Sequence, residues 1–200
     1  TPASQPKVVD GGTLVADGIY SESSAGFNVG EIGGAVKDGV TILANIKGRT
    51  SIGGEAGIIA SITDGSQVVN NRFSINRNTS SNTLAIYLEN MAGTNTRILN
   101  FDNFFSTYND VATLVTVIVQ PTDILVYING ALATPTSTSG TFDNDLTASK
   151  LAVHGYGTAH SGKLTEGTSA EVIVYTSDQT DNRKAIESNM ADYHGNIDLP

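Results

Sequence analysis

From residue 41 to residue 175, apolar side chains return at every second position in segment after segment, and the segments are separated by turn signals. A period of two belongs to a strand with one face buried, whereas a helix repeats every 3.6 residues. "TILANIK" (41–47) sets Ile42, Ala44 and Ile46 on one face, "RFSIN" (72–76) turns Phe73 and Ile75 inward, and "LAIYL" (84–88) does the same with Leu84, Ile86 and Leu88. "VATLVTVIVQ" (111–120) carries Val111, Val115, Val117 and Val119 on one face, with Leu114 and Ile118 on the other. In "ILVYINGALA" (124–133), Asn129-Gly130 supplies the two positive-φ positions of a type I′ hairpin, whose twist matches the strands it joins. Weaker strand signals lie at 7–9, 13–15 and 27–29, with Asp-Gly turns starting at 10, 17 and 38. Many short strands without alternating helices predict an all-β fold, an antiparallel two-sheet jelly-roll sandwich. The stretches 114–119, 124–128 and 172–175 are apolar on both faces, which predicts mid-sheet strands covered on both sides.

A chain of 200 residues suits one such domain, here 7–200, preceded by a polar, proline-containing arm at 1–6 that is expected to be flexible. Eleven basic against twenty acidic residues give a net charge of −9. No Lys/Arg run offsets it, so a phosphate backbone is not an expected partner. The apolar run at 114–119 is far shorter than the roughly 20 residues a membrane helix needs, so no membrane partner is expected. Cysteine is absent, so thiols say nothing of the compartment; charged residues are scarce beside Thr, Ser, Asn and Gly, which matches an extracellular or particle-surface β-protein.

One segment breaks the pattern. "SDQTDNRKAIESNMADYHG" (177–195) predicts a single short helix over about 178–193. Ser177 or Asp178 would cap it, Asp178 and Asp181 would face the positive end of its dipole, and Gly195 would stop it. Ile186, Met190 and Tyr193 form its expected apolar stripe, and Arg183 and Glu187 an i, i+4 pair in the weaker orientation. A helix this short does not stand alone in water, so it must lie on the sandwich and cover an apolar patch.

The run "TILANIKG … GIIASITDG … NRFSINRN … LAIYLENMAG … VATLVTVIVQPTDILVYINGALA … KLAVHGYG … AEVIVYTSD" resembles concanavalin A-like domains of the laminin-G type, over about residues 38–197. The matching elements are Tyr127 to Gly130 in the hairpin, Leu151 to Gly155, and Glu171 to Tyr175 in the final strand. The tail resembles that of such domains in structural and tail proteins of tailed bacteriophages, where the last strand is followed by "SDQxxNRxxIExNI". That resemblance implies a non-enzymatic virion module at the virion surface, a capsid decoration or fibre. Its expected partners are capsid or other virion proteins, host-surface polysaccharide, and copies of itself in a homo-oligomer. A secreted glycan-binding, lectin-like module, with or without calcium, is the alternative; a polysaccharide hydrolase or lyase is a third.

Enzymes resembling this jelly-roll carry an "ExDxxE" strand, or Arg-x-Glu-x-Arg with Gln-x-His; neither pattern occurs, and "QVVNNR" (67–72) lacks the histidine. No catalytic residue is therefore assigned. Three places remain as candidates for binding. "HGYGTAHSGK" (154–163) sets Tyr156 between two glycines near His160, where an exposed ring could stack on a sugar or anchor a partner. "DNFFSTYND" (102–110) offers Phe104, Phe105 and Tyr108, which either plug the sandwich edge or, if exposed, mark an interface. "FDNDL" (142–146) offers Asp143, Asn144 and Asp145 as hard oxygen ligands for calcium; the competing reading is that they bond turn backbone.

Overall fold

The computed structural model describes residues 14–15, 18–21, 27–48, 57–64, 71–78, 82–94, 96–153 and 167–200. The expected arm at 1–6, the strand signal at 7–9 and the loop at 154–163 lie outside the described residues. In chain order the strands are β1 (Leu14–Val15), β2 (Gly18–Ser21), β3 (Phe27–Glu31), β4 (Val40–Gly48), β5 (Gly57–Thr63), β6 (Arg72–Asn78) and β7 (Thr83–Glu89). They continue with β8 (Thr96–Phe101), β9 (Ala112–Val119), β10 (Ile124–Ile128), β11 (Ala131–Leu132), β12 (Ser137–Ser139), β13 (Lys150–Val153) and β14 (Gly167–Tyr175). The helices are α1 (Phe104–Thr107) and α2 (Arg183–His194), with a 3-10 turn at Val36–Asp38.

The strands form two seven-stranded sheets, in the orders β1-β2-β14-β4-β9-β10-β11 and β12-β8-β7-β6-β5-β13-β3. Every ladder between them is antiparallel. The expected sandwich is the observed one. Its core is built from the alternations read in the sequence: Ile42, Ala44, Ile46, Val115, Val117 and Val119 of the first sheet meet Phe73, Ile75, Leu84, Ile86 and Leu88 of the second. Val111 departs from the reading. It precedes β9 and is exposed, because the ladder with β4 begins only at Ala112. Asn129 and Gly130 have the positive φ values, 47° and 80°, that the hairpin requires. Asn129 also fixes the hairpin to β9: Leu114 N donates to its Oδ1 at 2.8 Å, and its own N donates to Leu114 O at 2.8 Å.

The aromatic segment at 102–110 closes one end of the sandwich through α1. Phe104 and Phe105 are 4% and 1% exposed and meet edge to face, their ring centroids 5.0 Å apart. Phe105 lies against Gly48, where any side chain would overlap its ring, and the Arg77 guanidinium sits 4.8 Å from that ring's centroid. The plug is thus the role of these rings, and they present no contact surface.

The helix α2 covers the outer face of the first sheet, as its marginal stability demands. Its boundaries and its buried face differ from the expectation. Asp178 caps no helix; its Oδ1 accepts from Thr180 N at 2.8 Å and Thr180 Oγ1 at 2.6 Å, and its Oδ2 from Gln120 Nε2 at 2.7 Å. The Thr180 hydroxyl, above all, holds the Asp178 carboxyl below its ordinary value. The chain is thereby held in a turn until Asn182, and the helix begins at Arg183. Gly195 ends it at φ 63°, as expected. Starting there, the helix buries Arg183, Glu187 and Met190, half-buries Ile186, and leaves Tyr193 80% exposed. Met190 joins Leu43, Leu114, Ile173 and Ile197 in a second apolar cluster.

The Arg183–Glu187 pair is therefore no surface pair but the polar centre of the docked face. Glu187 accepts from Thr116 Oγ1 at 2.8 Å and from Arg183 Nη1. Arg183 also donates to Gly130 O at 3.1 Å and lies 3.7 Å from the Tyr127 ring centroid. At the other end of the helix, His194 Nε2 is 3.0 Å from Glu171 Oε2.

Candidate functional site

Strand alternation decides which side chains the second sheet turns away from the core. Phe73 and Ile75 point inward from β6, so Arg72, Ser74 and Asn76 point outward. Leu84, Ile86 and Leu88 do the same for β7, so Ala85, Tyr87 and Glu89 line the outer face. The ladders arrange these residues in rows across the strands. Asn76 stands opposite Ala85, and Ala85 opposite Asn100; Ser74 stands opposite Tyr87, and Tyr87 opposite Ile98; Arg72 stands opposite Glu89. Two asparagine amides thus flank a small alanine, two strand spacings or roughly 9–10 Å apart.

This face is polar in the middle of a sheet, where apolar residues are the rule. Ser74 and Asn76 are buried, and Arg72, Tyr87 and Asn100 are half-buried around them. Arg72 Nε pairs with Glu89 Oε2 at 2.9 Å, and its guanidinium lies 5.8 Å from the Tyr87 ring centroid. Asn100 Nδ2 donates to Ser137 Oγ at 3.1 Å. Ser74 Oγ, Asn76 Oδ1 and Asn100 Oδ1 are shielded yet make no hydrogen bond among the described residues. A buried polar atom left so costs about 1–3 kcal/mol, and three of them lie on this one face. The neutralised ion pair and the tyrosine ring add a fixed edge and an apolar plane.

The residues named from the sequence fall elsewhere. Tyr156 and His160 lie outside the described residues. Phe104 and Phe105 are in the core, and Tyr108 is half-buried, tilted against Phe104 at 5.0 Å. Asp143 and Asp145 both tie to the turn at 90–91, and Asn144 turns away from them. Asp143 Oδ2 accepts from Asn90 Nδ2 at 3.0 Å and Asp145 Oδ1 from Met91 N at 2.9 Å. Asn144 Nδ2 turns the other way, to Val36 O at 3.3 Å and Gln120 O at 3.2 Å. Among the described residues no group of three or more His, Cys, Asp or Glu side chains could hold a metal. Ser74, Asn76, Tyr87 and Asn100 were not singled out in the sequence, although their signal was present: polar side chains at the alternate positions of strands too apolar to be edges.

No protein-family model matches the sequence, and no curated protein matches it either. Solved structures do match in fold. The NanB sialidase from Streptococcus pneumoniae superposes with a TM-score of 0.60 and 14% identity, over 84% of this chain and 27% of that one. The receptor binding domain of botulinum neurotoxin D gives a TM-score of 0.59 and 12% identity, over 86% and 43%. The CBM40 of the Ruminococcus gnavus IT-sialidase, bound to α2,3-sialyllactose, gives 0.53 and 16% identity, over 79% of this chain and 92% of that module. The chain spans about a quarter of NanB and nearly all of the CBM40. At these identities the likeness shows the fold alone, a two-sheet antiparallel β-sandwich.

Proposed function

We propose that this chain is a glycan-binding module that holds its ligand on the outer face of the second sheet. The observation that carries the reading is the set of shielded polar atoms Ser74 Oγ, Asn76 Oδ1 and Asn100 Oδ1, unbonded among the described residues, beside Tyr87 and the Arg72–Glu89 pair. Sugar hydroxyls supply both donors and acceptors to such atoms, and the Tyr87 ring takes the apolar face of a pyranose. The match to a CBM40 module bound to a sialylated trisaccharide supports the reading and names a first probe. No step of bond cleavage is assigned: Glu89 is held by Arg72, Glu171 by His194, and Glu187 by Arg183 and Thr116.

A glycan array probed with the whole chain, with and without a chelator, tests the proposal and whether binding needs calcium. α2,3-sialyllactose and lactose are then titrated, alongside the best array hit. Asn76→Ala and Asn100→Ala are expected to weaken binding about tenfold each. An array without a single binder, or a binder indifferent to both substitutions, overturns the proposal.

The tail resemblance supports a second reading, a virion-surface module that assembles with capsid proteins or with itself. Its motif residues Arg183, Ile186 and Glu187 are the ones that seat α2, so the resemblance speaks first for a shared way of closing the sandwich. Light scattering and co-sedimentation with capsid shells test it; a strictly monomeric chain that stays in the supernatant counts against it.

A further inference from the structure

The helix α2 leaves one end of the first sheet uncovered, and a cleft of about 290 Å³ lies there, lined by Asn45, Ile46, Lys47, Asp110, Ala112, Ala170 and Asn196. Three features of the chain make it. The β-bulge between Ser169 and Glu171 takes Ala170 out of the ladder with β4. At the start of β9 stands another small residue, Ala112, paired with Lys47. Gly195, in the left-handed region, then turns the chain so that Ile197 packs into the second apolar cluster and Asn196 is left at the rim.

The lining of the cleft is mostly polar. Its floor is Asn45, only 1% exposed, whose Nδ2 makes no hydrogen bond among the described residues. A shielded amide of this kind in mid-sheet is costly without a partner. Lys47, Asp110 and Asn196 line its walls. The volume stands at the small end, about 300 Å³, of small-ligand sites, which limits the occupant to one ring.

We propose that this cleft binds a single monosaccharide or a polyol of that size. Asn45 donates to one hydroxyl, the Asp110 carboxylate accepts from a neighbouring one, and Lys47 and Asn196 hold the far side. The site stands on the opposite sheet from the glycan-binding face and does not rest on that reading. If both are occupied, the module has two faces for one branched or multivalent glycan, and the second binding event becomes intramolecular.

The test is amide NMR of the whole chain, titrated with galactose, N-acetylglucosamine, N-acetylneuraminic acid and inositol. The expected result is a shift of the Asn45 side-chain amide and of Asp110, Ala112 and Asn196 with at least one probe. Asn45→Ala should weaken that probe about tenfold. Ala112→Met fills the cleft from its wall without touching the floor and should abolish those shifts, while Asn76→Ala leaves them intact. Shifts confined to Ser74, Asn76 and Asn100 refute the cleft site and uphold the glycan-binding face. Cleft shifts that survive Ala112→Met, or no shift there with any probe, also refute it.

Discussion

Replacing Arg183 with methionine tests how α2 is held. Both partners of the Arg183–Glu187 pair are shielded, with side chains 9% and 2% exposed. Removing one member of such a pair costs about 3–5 kcal/mol, because the other charge stays buried. Glu187 keeps its hydrogen bond from Thr116, which places the loss near the lower limit, about 3 kcal/mol. For a chain of this length that corresponds to a fall in Tm of about 6–12 °C. The pH dependence is a second signature. Burial holds the Glu187 carboxyl above its ordinary value of 4.5, against the lowering pull of Thr116 and Arg183. Without the guanidinium it rises further. A carboxyl raised in the folded state contributes stability that is present below its unfolded value and lost as pH rises through the folded one. The deficit of Arg183→Met is therefore full at pH well above the raised folded value of Glu187 and narrows as pH falls through that value toward 4.5, as Glu187 takes up its proton. Urea denaturation at the two ends of that window measures both effects. In Arg183→Met/Glu187→Gln the buried charge is gone, and most of the loss should be recovered. A cost below about 1 kcal/mol, the size of a surface pair, or a deficit that widens on acidification, would refute the buried-pair account.

Two further outcomes follow from the packing. Met190→Ala should cost about 2–4 kcal/mol by opening a cavity beneath α2, whereas Tyr193→Ser should stay within about 0.5 kcal/mol in the same urea titration. Gly48→Ala should cost about 1–3 kcal/mol or more by driving a methyl into the Phe105 ring; near-equal Tm values for this variant and the parent chain would show that α1 is not the plug described.

The sandwich was legible because strand alternation is a local signal. Phe73, Ile75, Leu84 and Ile86 announce their face through their neighbours alone, and Asn129-Gly130 announces the hairpin. The docked face of α2 was not legible in the same way. Arg183 and Glu187 are ordinary helix-surface residues until Thr116 and Gly130 are brought against them, and those partners lie far away in the chain. The stripe Ile186, Met190 and Tyr193 failed at its last member because Tyr193 lies beyond the apolar patch on the sheet. The candidate face was half legible: Ser74 and Asn76 sit between the very residues that define β6. Sequence alone says that they point outward, but not that they are shielded, with Ser74 Oγ and Asn76 Oδ1 making no hydrogen bond among the described residues.

The place of β14 between β2 and β4 has a consequence for biosynthesis. Thr41 and Ser177, joined by a hydrogen bond at 3.0 Å, are 136 positions apart in the chain. A nascent chain that has delivered β4 through β10 still has a bare ladder edge on β4, and Leu43 and Leu114 face water until α2 follows. Open edges and apolar faces of that kind are where chains join one another. A chain truncated before residue 167 therefore leaves the β4 edge and the Leu43–Leu114 face open to other chains, and β14 with α2 is the latch that shuts both.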